Sequence, residues 1–378
     1  MEVFANKRRF FQIVDALMER KRLKLYPFNT KQAYVPQLLI LPEIRRDTVL
    51  LACYYFCICI YMRGGVESHT VFKQFNKMWQ KHPEMFLPEK VAGLSHEYIH
   101  AVLKRFIGWD AVAAARFWKA NMTALYRNWG GNPFNILRGI SSYEEACRRL
   151  RNKNGRSGTK KLLSLDPVEE GFIGFQFKMV SMFLYFCDWE GWLRPRFLYP
   201  SPADFHHYRL FIANEAVVIK THNGRSIRYD EKISNPIRTL LMKYLKERRA
   251  DPVEVADALW LFSLLMCGES PVTKTRSAEM KNLSLFKTNL LDGLSTSTGI
   301  ASAKKRQLLQ TCGACILEKT CKFAIPSHPY YRRGILELRN RPPIGLATFK
   351  KTPSATPPKA ETDPSKDQFG LTFSKPDE

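Results

Sequence analysis

From Val49 to Met62 the chain reads VLLACYYFCICIYM, fourteen residues without a charge. Such a run must leave water, and its length decides how. A bilayer span needs roughly 20 apolar residues. This run therefore predicts a helix buried in a folded core, flanked by Arg45, Arg46 and Arg63, and no membrane partner. Around it, apolar residues recur at helical spacing and long strand-like alternation is scarce. Helices are predicted over 3–24, 46–63, 69–81, 95–106 and 110–128, punctuated by Gly64-Gly65, Pro83, Pro88, Gly130-Gly131 and Pro133. Ser142-x-x-Glu145 predicts a capping box opening a helix to about Arg151. A second helical block begins near Asp166, with helical segments within Glu169–Phe186 and Ser201–Ile219 and over 235–248 and 252–267. The fold class expected is mainly α.

Charge narrows the partners. The 59 Lys and Arg against 35 Asp and Glu give a formal charge of +24. A field of that sign attracts phosphate backbones and anionic surfaces. A nucleic acid is the expected partner, and a generically basic protein is the alternative. The basic loop Asn152–Lys161 suits phosphates or plain solvent equally. Met1–Tyr26 contains no cleavable apolar core, so no secretory signal is expected. Nine cysteines, an odd number, argue against a disulfide framework and for reduced thiols or metal ligation.

Three of those cysteines lie together, Cys312-x2-Cys315-x5-Cys321, close enough to face one metal centre. A fourth ligand is needed. Cys267 is the natural one, because it ends a helix of the same block. Cys53, Cys57 and Cys59 lie within the apolar helix, and Cys147 and Cys187 on helices far upstream, where thiols are usually inert. The run with its apolar Ile316-Leu317 resembles the C-terminal cluster loop of endonuclease III and the adenine glycosylases. The resemblance implies a [4Fe–4S] cluster on Cys267, Cys312, Cys315 and Cys321, with zinc as the alternative. The long stretch from Gly268 to Thr311 departs from that family and implies an expanded loop. In the family this loop touches DNA phosphates, and here it carries Lys274, Arg276, Lys281, Lys287, Lys304, Lys305 and Arg306.

Upstream, "PADFHHYRL" resembles the same superfamily's Pro-x-Asp-x-His-x-x-Arg run at Pro202, Asp204, His206 and Arg209. The resemblance implies that Asp204 is catalytic. Breaking an N-glycosidic bond builds positive charge on the sugar, and a carboxylate stabilises it or helps deprotonate the nucleophile. Asp204 also reads as a helix N-cap after Pro202. His206 and Arg209 are expected to be structural. Before it, "GFQFKMVSMFL" resembles the family's glycine-rich hairpin and following helix. In that register Lys178 matches a Schiff-base lysine, its alternative being an exposed helix lysine, and Gly174 and Gln176 lie where the hairpin approaches a phosphate. Gln176 stands in place of the hairpin's second glycine. Among aromatics near these motifs, Trp189 and Trp192 are the expected stacking or wedging residues.

Together the motifs, in the order hairpin, aspartate run, cysteine loop, resemble the helix-hairpin-helix glycosylase superfamily. The resemblance covers about residues 166–325. It implies a two-lobed helical glycosylase fold, with an N-terminal helical region over 1–165, a hairpin and catalytic domain over 166–266, a cluster domain over 267–340, and a disordered Pro/Lys/Thr-rich tail over 341–378. The implied activity is excision of a modified, flipped-out base, with or without lyase activity. The overall architecture loosely resembles the branch of thymine pyrophosphorylase-like proteins associated with hypermodified phage DNA. That suggests an antiphage glycosylase, or else an enzyme of thymine hypermodification. A non-catalytic DNA-binding protein with a structural cluster is the remaining alternative. A monomer is expected, in the cytoplasm beside the nucleoid, or in the nucleus of a eukaryote.

Overall fold

The computed structural model describes residues 2–30, 34–62, 68–151, 171–220, 227–228, 231–268, 315–317, 321 and 335–336. They are mainly helical, as expected, and pack into two cores.

The first core is built around α3 (Thr48–Tyr61). Every residue from Leu50 to Ile60 is buried, so the uncharged run is indeed an interior helix. No described helix is long and apolar enough to cross a membrane. Asp47 caps α3 by accepting the Val49 and Leu50 N–H groups at 2.9 and 3.0 Å, satisfying donors that a helix start leaves orphaned. Its tyrosines keep their hydroxyls paired. Tyr54 donates to Asn76 Oδ1 at 2.8 Å and Tyr61 to the Ile107 carbonyl at 2.7 Å. Packed round α3 are α2 (Pro42–Arg46), α4 (Ser68–Lys81), α5 (Pro88–Gly93), α6 (His96–Ile107), α7 (Val112–Trp129), α8 (Phe134–Leu137), α9 (Tyr143–Leu150) and α10 (Phe177–Trp189). At α9 the Ser142 side chain caps Glu145 as expected, but Glu145 Oε2 reaches back to Ser141 N–H at 2.8 Å rather than to Ser142.

The second core brings the N-terminal segment together with residues from 203 to 266 and with Cys315 and Leu317. It joins β1 (Glu2–Ala5) and α1 (Lys7–Arg22) with α11 (Phe205–Ala213), β2 (Val217–Lys220), α12 (Glu231–Arg248) and α13 (Pro252–Phe262). The helix expected over 3–24 starts only at Lys7. Residues 2–5 instead pair antiparallel with β2, Glu2 opposite Lys220 and Ala5 opposite Val217. Residues 217–219 likewise lay within a stretch expected to contain helix. Each segment becomes a strand because the other supplies its hydrogen bonds, a tertiary partnership that local periodicity does not carry. The described part of the region drawn as 1–165 is thus divided between the cores. A second short ladder pairs β3 (Ile227–Arg228) with β4 (Ile335–Leu336).

Helix α13 serves both cores. Val253 and Ala256 face the first, while Val255, Ala258, Leu259 and Phe262 face the second. With opposite stripes buried, it fixes one core against the other. Its end loosens into a π turn, Ser263–Gly268, which contains Cys267.

Candidate active site

The segment before α10 is a tight turn held from below. Phe175 N–H donates to the Phe172 carbonyl at 3.0 Å, with Gly174 at φ 89° between them. The positive φ needs glycine. The buried amide of Asn121 clamps the turn, donating to the Ile173 carbonyl at 2.9 Å and accepting the Ile173 N–H at 2.8 Å. Gln176 is the N-cap of α10, extended at φ −105° and ψ 177°. Any residue adopts that backbone, so the conformation makes no demand for the glycine expected there.

Along α10, Lys178, Met182, Tyr185 and Phe186 form one stripe lining a cavity of about 80 Å³. The opposite wall comes from Ser201, Pro202, Asp204 and His207 at the start of α11, and from Ala256, Asp257 and Trp260 on α13. Pro36, Gln37, Met62, Ser68 and Phe72 complete it. The cavity thus lies where the two cores meet.

Lys178 and Asp204, distant in sequence, come together here. Lys178 Nζ lies 3.5 Å from Asp204 Oδ2, with side chains 17% and 13% exposed. The N-cap and catalytic expectations for Asp204 fall on different oxygens. Oδ1 caps α11, accepting His206 N–H at 2.9 Å, and has His207 Nδ1 at 3.2 Å. Oδ2 is left to face Lys178. Burial pushes the carboxyl up, but Lys178, the His207 hydrogen bond and the charges of His206 and His207 outweigh it. Asp204 is therefore held far below the usual carboxylate range and stays ionised.

His207 Nε2 in turn lies 2.8 Å from Ser201 Oγ. Serine, histidine and aspartate are connected as in a hydrolytic triad. All three line the cavity, but the exposure is inverted, with Ser201 and His207 each 2% exposed against 13% for the Asp204 side chain. The relay orients the carboxylate rather than arming the hydroxyl. His206 is buried and structural, as expected: its Nδ1 lies 3.3 Å from Ser263 Oγ, which donates to the His206 carbonyl at 3.0 Å.

Two cations that the motifs did not reveal frame the start of α10. The guanidinium carbons of Arg151 and Arg238 lie 4.3 and 4.2 Å from the Phe177 ring centroid. Arg238 is 6% exposed, and its Nη1 has no hydrogen-bond partner among the described residues. Its Nη2 already donates to Glu231 Oε2 at 2.6 Å, so only the Nη1 N–H groups are left to meet an acceptor, and a buried donor without one is costly. Nothing in the sequence joins Arg238 to the turn, since the two meet only through packing.

The expected stacking residues lie elsewhere. Trp192 packs on the Tyr55 and Phe134 rings, with centroids 6.2 and 4.7 Å away. Trp189 lines a separate surface hollow beside α1. The tryptophan in the site is Trp260, whose ring stacks against His69 at 5.9 Å. Its position on α13 at i+4 from Ala256 was the one available signal.

Of the cysteines, Cys53, Cys57, Cys59, Cys147 and Cys187 are buried. Burial, then Glu89 and Asp47, raises Cys53 to about 12, so these thiols are poor ligands. Cys315 packs against the second core and neighbouring Leu317 is buried in it, as is Met266 beside Cys267. Cys321 N–H donates to the Leu317 carbonyl at 2.8 Å. Cys312, the side chain of Cys267, Lys274, Arg276, Lys281, Lys287, Lys304, Lys305 and Arg306 lie outside the described residues, as do the Asn152–Lys161 loop and the 341–378 tail. Among the described residues no three metal-binding side chains converge.

Compared with family models, curated proteins and solved structures, the chain matches none of them.

Proposed function

We propose that this chain is a DNA N-glycosylase of the helix-hairpin-helix type, acting on a modified base extruded from the stack. The observation that carries the proposal is the Lys178–Asp204 pair, facing each other at 3.5 Å in the wall of a cavity between two helical cores. Each residue was singled out from a different motif, and local sequence does not dictate their meeting.

The chemistry follows from the atoms present. With the target sugar beside Asp204, water or the Lys178 amine adds to C1′ as the C1′–N bond breaks. The bonding pair leaves with the base, which takes up a proton. Asp204 Oδ2 stabilises the positive charge growing on the sugar and accepts the nucleophile's proton. If Lys178 is the nucleophile, opening of the sugar ring gives an imine on Nζ and allows strand cleavage. The turn at Gly174, the N-terminus of α10, Arg151 and Arg238 would hold the flanking phosphate.

Asp204→Asn keeps the helix cap while removing the charge. It is expected to lower base release by about 10²-fold or more and to leave DNA affinity largely intact. Mass spectrometry of bases released from several genomic DNAs, modified phage DNAs included, is the readout. Full activity of the variant would remove the catalytic assignment and leave a DNA-binding protein. Borohydride trapping on abasic DNA should give a covalent adduct that is lost in Lys178→Ala, and no adduct in the native protein would remove the lyase step.

The cysteine segment fits a tetrathiolate centre in its donors. Five thiols are sealed away, and Cys315 joins the core that receives the helix end carrying Cys267. Cys267, Cys312, Cys315 and Cys321 would hold a [4Fe–4S] cluster, with zinc as the alternative, and the bound group would supply a structural clip. Anaerobically purified protein should contain about four irons and four sulfides per chain. Zinc in place of iron would overturn the cluster.

A further inference from the structure

The cavity carries two sets of polar groups in an apolar lining. Lys178 and Tyr185 stand seven residues apart on α10, about 10 Å of helical rise. The Lys178 end carries Asp204, His207 and Ser201. The other end carries Gln37, Tyr185 and Asp257. Met182, Phe186, Phe72 and Trp260 add apolar side chains to the same lining. An apolar lining with two sets of polar groups about 10 Å apart suits a flat, polar-edged ring.

The hydrogen-bond polarity at the far end is fixed. Tyr185 O–H donates to Asp257 Oδ1 at 2.5 Å, so its oxygen accepts from Gln37 Nε2 at 2.8 Å. Lys21 Nζ approaches the other carboxylate oxygen, Oδ2, from outside at 3.5 Å. Both neighbours feed the Asp257 carboxylate, which has lone pairs to spare and can only accept when ionised. The Gln37 amide nitrogen carries a second N–H to give.

We propose that Asp257, Tyr185 and Gln37 read the far edge of the extruded base and select a cytosine-type ring, which presents an exocyclic amino group, over a thymine-type ring. This rests on the glycosylase assignment and names its substrate class. A cytosine edge offers an amino donor to Asp257 and a ring-nitrogen acceptor to Gln37. A thymine edge reverses both, setting a carbonyl against a carboxylate and an N–H against an N–H. Burial, opposed by Lys21 and Tyr185, pushes the Asp257 carboxyl up to about 6, so it is ionised at pH 8.

The test uses the full chain at pH 8 on oligonucleotides carrying one 5-hydroxymethylcytosine or one 5-hydroxymethyluracil. The two bases share a substituent and differ at the edge. The native protein should release the cytosine-type base about tenfold faster or more. Asp257→Asn, whose amide can donate, should bring the ratio to one or below, and Tyr185→Phe should lower it. A folding defect slows both substrates together and leaves the ratio unaltered, so the ratio reports recognition. A native ratio of one or below, or an unaltered ratio in both variants, overturns the proposal. Borohydride trapping of the native protein on abasic DNA runs alongside. Trapping with an unfavourable ratio sinks the base-edge inference alone, whereas neither trapping nor release sinks the glycosylase assignment and this inference with it.

Discussion

Two carboxylates share one cavity and are driven in opposite directions. Asp204 faces a lysine and two histidines and is held ionised. Asp257 is pushed up to about 6 by burial, against Lys21 and Tyr185 and helped by Glu254. Its raised value fixes the sign of its effect on stability. The protonated form is favoured by folding, so its contribution is complete below the unfolded value near 4 and is lost as pH rises through about 6. Asp257→Asn is therefore expected to gain on the native protein between pH 4 and 7, by on the order of 2–3 kcal/mol. Chemical unfolding across that range checks it, and a constant gap would refute it. Asp204 was legible in the sequence because its neighbours Pro202 and His206 are local. Asp257, Tyr185 and Gln37 were not. They reside on three separate elements, and only packing gives them a common purpose.

Among the elements, the turn before α10 is where backbone geometry constrains function most. Gly171 has φ +75°, and a Cβ there would fall 2.3 Å from the Arg151 carbonyl oxygen. Gly171→Ala should destabilise the protein by about 2–4 kcal/mol and reduce trapping of abasic DNA through displacement of Lys178. Calorimetry and the trapping assay measure the two effects, and a variant with native melting would show that the turn yields freely. The same segment shows why motif matching was incomplete. The glycine pattern suggested a defect at Gln176, yet the extended backbone there tolerates any side chain. The position that cannot change is Gly171, whose demand comes from a chain segment twenty residues earlier. Helices α3, α4, α6 and α7 were legible for a simpler reason, since each has a run or stripe that must leave water whatever it packs against.

At the scale of the whole molecule, the N-terminal helix α1 packs onto α11, the helix that Asp204 caps. Phe10 of α1 stacks on Phe211 of α11, ring centroids 3.9 Å apart. On the proposed function, the formal charge of +24 would make DNA affinity a counterion effect. If the surface neutralises six to ten phosphates, affinity should fall about 10³–10⁵-fold between 50 and 200 mM salt. Fluorescence anisotropy with labelled duplex and single strands measures the slope, and a slope near zero would argue against a phosphate-tracking surface. Local pattern was enough for the helical class, the burial of the uncharged run and the choice of Lys178 and Asp204, because hydropathy periodicity and short motifs act over a few turns of chain. Packing alone made residues 2–5 a strand, put α1 in the second core and brought Asp257 into the same cavity. Those outcomes depend on which distant segment offers the complementary hydrogen bond or apolar face, and no local pattern records that choice.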